Sequence, residues 1–419
     1  MNQEMQKGTR CKICTGCGRC FGRTDSIQVV KEFQKEGFFI TPLICREEYI
    51  VLADIGTTTI AMVLYDPKGQ ELDQFLKVNP QTYYGADIMS RISAAENNMN
   101  AGMMRKMVMG TLEEGLKQFE HKIRELNLEE VLEKEAGEEA DRKVKLYLAG
   151  NTTMIYFLMG FQTAELGASP FHASHLETLN TKICGVDTYI FSGVSAFVGG
   201  DIVAGMYAGG MFEQREITLL VDLGTNGEIA LGNNEKRISC STAAGPAFEG
   251  GANKGIWGAD MISLVSRLLQ EGIVDQDGLL AETYFEEGIT IGNVLITQQT
   301  IRQLQLAKAA IAVGIDLLLE KYGIEACQVE KVILAGGFGY YLKPEDAAKI
   351  GLLNPELARI AKSGGNTALA GAYKLAFGNR DEKEAQKIVE QGARQTESMN
   401  IAQMPDFGGK YLNKLELKS

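Results

Sequence analysis

Histidine is nearly missing from this 419-residue chain, occurring only at positions 121, 172 and 175. Imidazole-based metal or acid–base chemistry therefore has little material, and His172 with His175 can share a metal only if SPFHASHLE is helical. Long apolar runs are missing too. No stretch approaches the ~18 residues of a membrane span, and the opening MNQEMQKGTRCKICTG has no apolar leader core. The expectation is a cytoplasmic protein without a membrane partner. Basic excess is absent as well: 42 Lys plus Arg against 54 Asp plus Glu leave a formal charge of −12, with no local basic patch. Duplex nucleic acid and anionic lipid would repel such a surface. Low-complexity and collagen-like patterns do not occur. With 45% hydrophobic and 23% charged residues, the chain is an ordinary globular one with room for two or three domains.

Two things are abundant. Glycine contributes 47 residues, and four of the eight cysteines fall within residues 11–20, where even scattering would place about 0.2. Cys11, Cys14, Cys17 and Cys20 follow C-x2-C-x2-C-x2-C, with Gly16 and Gly18 easing the turns. Where thiols stay reduced, such a knot indicates metal before disulfide. A [4Fe–4S] cluster is the first choice, because zinc sites of four cysteines usually pair two C-x2-C units across a longer loop. Zinc stays open as the structural alternative. Cys45, Cys184, Cys240 and Cys327 are scattered and suit small apolar positions. Only Cys240 lies beside a glycine-rich loop.

Residues 1–48 form a short polar head, and EYIVLADIG then begins the first strongly apolar run. A β-branched strand ending in Asp-x-Gly-Thr occurs twice, as VLADIGTTTIAMVLYD (Val51 to Asp66) and LLVDLGTNGEIAL (Leu219 to Leu231). Each reads as a β-hairpin. Ala101 to Leu132 and Gln298 to Tyr322 have helical spacing, whereas VKLYLAG and KVILAGGFG read as strands. Strands alternating with helices define an α/β protein. The expected division is a Cys-rich segment 1–48, domains at 49–218 and 219–378, and a tail 379–419. That tail opens with a helix in DEKEAQKIVEQGARQTESMN and ends weakly structured.

The D-x-G-T turns carry the chemistry. Backbone N–H groups and hydroxyls of such a turn surround an anion, and the preceding Asp can anchor Mg²⁺ directly or through water. Asp54, Gly56, Thr57 and Thr58 fit this in the first hairpin. Asp222, Gly224, Thr225 and Asn226 repeat it about 170 residues later, one hairpin per α/β domain. The third element is the glycine turn of AGGFG, where Gly336 and Gly337 let the backbone approach a flat ligand such as adenosine. Alone, each motif is also an ordinary tight turn. In this order they resemble the phosphate-1, phosphate-2 and adenosine motifs of the superfamily joining acetate and sugar kinases, heat-shock chaperone ATPases and actin. The resemblance implies two ribonuclease-H-like domains facing a nucleotide cleft, closing over Mg-ATP, with Asp54 and Asp222 on the metal side.

Further strings sharpen the match: NPQTYYGADIMSRI, GNTTMIYFLMG, FVGGDIVAG, CSTAAGPAFEGG, AKAAIAVGIDLLL and AGGFGYYLKPEDAAKIGLLNP. Over residues 49–378 they resemble the C-terminal region of the reductive activators of corrinoid-dependent enzymes. That family uses ATP to drive one electron uphill onto a partner corrinoid protein, from Co(II) to Co(I), with an iron–sulfur centre as donor. The implied partners are the corrinoid protein of a methyltransferase system, a ferredoxin where the electron comes from outside, and a second copy of the chain in a homodimer. Nucleic acid and membrane are not expected. The 48-residue head departs from the family, whose members commonly carry a plant-type [2Fe–2S] domain with C-x4-C-x2-C spacing. The rival readings are an activator of 2-hydroxyacyl-CoA dehydratases or aryl-CoA reductases, and a non-redox ATP-gated scaffold with a zinc head.

Other residues have two readings each. Asp201 in GGDIVAG orients or deprotonates a water, or else caps a helix. Asp87 is functional or a helix-start carboxylate. Ser241, Thr242, Gly245 and Glu249 in STAAGPAFEGG offer nucleotide contacts, or form a turn between domains.

Overall fold

The computed structural model describes residues 45–133, 143–224, 226–245, 258–292 and 294–418. The strands are β1 (Tyr49–Ile55), β2 (Thr59–Tyr65), β3 (Glu71–Val78), β4 (Val144–Gly150), β5 (Leu179–Ile183), β6 (Val186–Ile190), β7 (Thr218–Leu223), β8 (Gly227–Gly232), β9 (Arg237–Thr242), β10 (Ile289–Ile291), β11 (Val294–Ile296), β12 (Lys331–Ala335), β13 (Ala361–Gly365) and β14 (Thr396–Ser398). The helices of seven residues or more are α1 (Ile88–Ala95), α2 (Asn98–Glu133), α3 (Thr152–Met159), α4 (Gly200–Ala208), α5 (Gly258–Gln270), α6 (Gln298–Tyr322), α7 (Thr367–Phe377), α8 (Glu382–Arg394) and α9 (Phe407–Asn413).

Two mixed sheets repeat one plan. The first runs β3-β2-β1-β4-β6-β5 and the second β13-β12-β7-β8-β9-β14. In both, an antiparallel three-stranded meander (β1–β3, β7–β9) is extended by parallel strands on the side of its first strand. The sixth strand differs: β5 hairpins onto β6, whereas β14 lies parallel to β9.

Strand alternation distributes the apolar residues among three cores. On β1, Val51, Ala53 and Ile55 face an outer core shared with Met104, Val108 and Leu158, while Ile50 and Leu52 face the other way. On β7, Leu219, Val221 and Leu223 face an outer core with Ile262, Ile311 and Val313, while Leu220 faces inward. The inward faces meet in one shared cluster in which Leu52 of the first sheet and Leu220 and Ile333 of the second pack with Ala204, Ala368 and Ala372. The small-residue helices α4 and α7 therefore form a layer between the sheets. Their backbones almost touch: a Cβ on Gly371 would lie 2.0 Å from the Ala204 carbonyl oxygen.

The C-terminal residues differ from their expected weak structure. Thr396–Ser398 is a strand, not the end of a helix, and Met399 N–H just after it donates to the Ser239 carbonyl at 2.8 Å. Beyond it, Leu417 is buried and Tyr411 packs against the second outer core. The chain runs on polar residues there because only one face of α9 is covered.

Candidate functional site

The alternation that builds the cores also aims the acids. Asp54 follows Ile50 and Leu52 at two-residue steps on β1, and Asp222 follows Leu220 on β7, so both carboxylates lie on the inward faces. Glu228 pairs directly with Asp222 across the β7–β8 hairpin and joins the same face. Asp201 enters from the first turn of α4, in the intervening layer.

These four acids repel one another. Burial, then the Asp201 charge, push the Asp54 carboxyl up to about 7, against a lowering hydrogen bond from Asn366. Burial, then Asp201 and Asp54, push Asp222 to about 8. Burial raises Asp201 to about 6. Glu228 is held well above the carboxylate range by burial first and then by Asp201 and Asp222. The three aspartates keep partial solvent exposure, whereas Glu228 is buried. Packing acids from both sheets together stabilises the cluster only when protons or a cation compensate.

The hairpin turns flank this cluster. Gly56 N–H donates to the Thr59 carbonyl at 2.9 Å, which closes the first turn and leaves Thr57 and Thr58 partly exposed. Buried Asn79 braces it from below: its side-chain amide donates to the Gly56 carbonyl at 2.9 Å and its backbone N–H to the Thr58 carbonyl at 2.9 Å. In the second turn, Gly224 N–H donates to the Asn226 carbonyl at 3.0 Å. Thr225 lies outside the described residues. Gly336 follows β12 at φ 81°, and a Cβ there would lie 2.5 Å from Asp222 Oδ1. The close approach that requires this glycine is thus to the second hairpin itself. Gly337 beside it is exposed, and Gly245 turns at φ 72° after β9.

Several alternatives are decided by the geometry. Asp201 does not cap α4: Gly199 holds that position, and the Asp201 carboxylate accepts from the Ile202 N–H at 2.8 Å. Asp87 caps α1, as a helix-start carboxylate does, through Ser90 N–H at 2.8 Å and Ser90 Oγ at 2.7 Å. Ser241 faces inward opposite Glu228, while Thr242 points to α6, where a Cβ on Gly314 would meet its Cγ2 at 2.8 Å. Glu249 lies outside the described residues, as do Cys11, Cys14, Cys17 and Cys20. Cys240 is buried in the outer core, and burial raises its thiol; Cys45, Cys184 and Cys327 are exposed rather than apolar fillers. His172 and His175 lie in a segment that is not helical, and His175 stacks on Phe161 at 4.0 Å instead.

Two site residues escaped the sequence reading. Glu228 is one, and hairpin register with Asp222 was the signal for it. Asn366 is the other. It caps α7 through Leu369 N–H at 2.9 Å and donates its amide to Asp54 Oδ2 at 2.7 Å, across 312 residues. No local pattern announces that contact.

Two mixed sheets of one plan, with acids from both on the faces that meet, define an α/β protein of the ASKHA type. Residues 49–214 match the RACo middle region, and residues 216–254 and 251–419 match the C-terminal domain of RACo, the ASKHA domain. The chain belongs to the RACo family, the reductive activators of corrinoid proteins. It is 29% identical to the corrinoid activation enzyme RamQ of Eubacterium limosum, over 87% of this chain and 69% of RamQ. It is 24% identical to a reductase of Methanosarcina barkeri described as acting on the Co(II) methylated amine-specific corrinoid protein, over 52% of this chain and 49% of that one. A solved reductive activator for corrinoid,iron-sulfur protein superposes with a TM-score of 0.74 at 27% identity, covering 89% of this chain and 66% of that one. The chain thus spans about two thirds of the length of that activator. Among the described residues, no helix is long and apolar enough to cross a membrane.

Proposed function

We propose that this chain hydrolyses Mg-ATP between its two ribonuclease-H-like halves to drive reduction of a corrinoid protein from Co(II) to Co(I), preparing it for methyl transfer. The observation that carries the reading is the convergence of Asp54, Asp201 and Asp222 from two strands and the intervening helix, flanked by two D-x-G-T hairpins. Family membership supports the choice of substrate.

Among the described residues, no three His, Cys, Asp or Glu side chains are grouped closely enough to hold a metal. The donor chemistry of Asp54 and Asp222 suits Mg²⁺, which keeps several waters and binds through one or two carboxylates plus substrate phosphates. Asp54 and Asp222 would hold the hydrated ion. Its charge would relieve the repulsion that raises both carboxyls. The N–H groups at Gly56 to Thr58 and Gly224 to Asn226 would bind phosphate oxygens, and Gly336, Gly337 and Gly245 would border the nucleoside. Asp201, with a carboxyl near 6, is suited to accept the proton of the attacking water.

Cys11, Cys14, Cys17 and Cys20 would hold an iron–sulfur cluster, which supplies single-electron transfer when bound. Raising one electron by about 200 mV takes roughly 4.7 kcal/mol, a quantity that differential binding across a nucleotide cycle can provide.

The test is an anaerobic preparation assayed for iron, sulfide and zinc, then mixed with ATP, a reductant and a Co(II) corrinoid protein. The expected outcome is iron with sulfide and an ATP-dependent appearance of the Co(I) visible spectrum. Zinc without iron, together with no effect of ATP, would overturn the reading.

A further inference from the structure

The side chain of the acid in the amino-terminal hairpin is bonded from the other half of the molecule. Asp54 ends β1 of the first sheet, and Asn366, which bonds it, lies between β13 of the second sheet and α7. The amide has no freedom to turn over. Its oxygen accepts from Leu369 N–H at 2.9 Å, so its nitrogen must face Asp54 Oδ2 at 2.7 Å. The helix behind it packs tightly on the Asp201-bearing α4: a Cβ on Gly205 would lie 2.8 Å from Thr367 Oγ1 and one on Gly371 would lie 2.0 Å from the Ala204 oxygen.

We propose that Asn366 is a positioning residue: its side-chain amide sets the orientation of the Asp54 carboxylate, so that the second half of the molecule configures the metal-side acid of the first. This rests on the Mg-ATP reading above. A hydrogen bond from a neutral amide to a carboxylate fixes one of its two oxygens and leaves the other for the ion's water shell. Tilting that carboxylate would shift any ion held there, and misplacement of about 1 Å costs around a hundredfold in rate.

The capping and positioning roles separate by substitution. Asn366→Ser keeps an oxygen for the Leu369 N–H, since Ser and Asn cap helices about equally well, adds no charge, and is too short to donate to Asp54. Asn366→Ala removes both. Nucleotide-free crystal structures of the wild type and Asn366→Ser report the Asp54 side chain directly. Melting temperatures and steady-state Mg-ATPase kinetics complete the set. The expected result is Asn366→Ser melting close to wild type, with Asp54 reoriented, kcat down about a hundredfold and the KM for ATP within about threefold. Wild-type turnover in Asn366→Ser, with only Asn366→Ala destabilised, would make Asn366 a cap and nothing more, overturning the proposal while leaving the nucleotide site intact. A wild-type protein that neither binds nor hydrolyses Mg-ATP would instead remove the underlying reading, and the proposal with it.

Discussion

The two halves share strand order, hairpin and D-x-G-T turn, yet their acids live differently. In the first half, Asp54 accepts a hydrogen bond from Asn366 at 2.7 Å and its turn is braced by Asn79. In the second, Asp222 faces another acid, Glu228, across the hairpin, and packs against Gly336 without room for a side chain. The same scaffold surrounds its two acids differently. One half holds its carboxylate by a neutral donor, whereas the carboxylate of the other is set against acids, Asp201 and Asp54 among them, whose repulsion a cation can neutralise.

The largest effects come from removing either aspartate. Asp54→Asn and Asp222→Asn should each lower kcat for ATP by about 10²–10³. The two should part in stability: Asp222→Asn relieves the repulsion from Asp201 and Asp54 and should melt above wild type at pH 8, whereas Asp54→Asn surrenders a bonded carboxylate and should gain less. Equal gains in both would erase the contrast. Next comes the layer that joins the halves. Gly371→Val, forced against the Ala204 backbone, should cost at least about 1–3 kcal/mol in urea unfolding, and native-like stability would show that α4 and α7 have slack.

Proton linkage gives a smaller, signed effect. Asp54, Asp201 and Asp222 have folded values of about 7, 6 and 8 against an ordinary 3.8. As pH rises past 4 the unfolded chain releases these protons first, so the folded state binds more of them. Nucleotide-free stability should fall between about pH 4 and 8. Lys308 acts in the opposite sense: burial, then Lys414 and Lys418, lower it to about 7 from 10.5, so the unfolded chain binds the extra proton and stability should recover from about pH 7 towards 10. Urea midpoints across this range, in wild type and Lys308→Met, separate the two. Smallest of all should be Glu228→Gln. An amide in place of a carboxyl whose ionisation burial disfavours should leave turnover within about threefold. A hundredfold loss would mean that Glu228 works as an anion and that the second half carries two active carboxylates.

Much of the architecture was legible because local pattern and tertiary environment agree. VKLYLAG and the Gln298–Tyr322 helix stand where period and length put them, and the hairpins close at the expected glycines. Asp54 and Asp222 were legible as turn acids, and Asp201 as a residue after two glycines. What escaped depends on contacts between distant segments. Asn366 looks like any helix cap until the sheets are stacked. The polar C-terminal residues gave no strand signal, because β14 takes its order from β9 and buries only Thr396.

The most direct test is a crystal structure with a non-hydrolysable ATP analogue and Mn²⁺ in place of Mg²⁺. The anomalous signal should lie between the inward faces of the two sheets, bound to Asp54 and Asp222 directly or through water, with the phosphates at the Gly56–Thr58 and Gly224–Asn226 turns. A metal and nucleotide seated elsewhere, or a signal touching acids of one half alone, would contradict a site built by both halves.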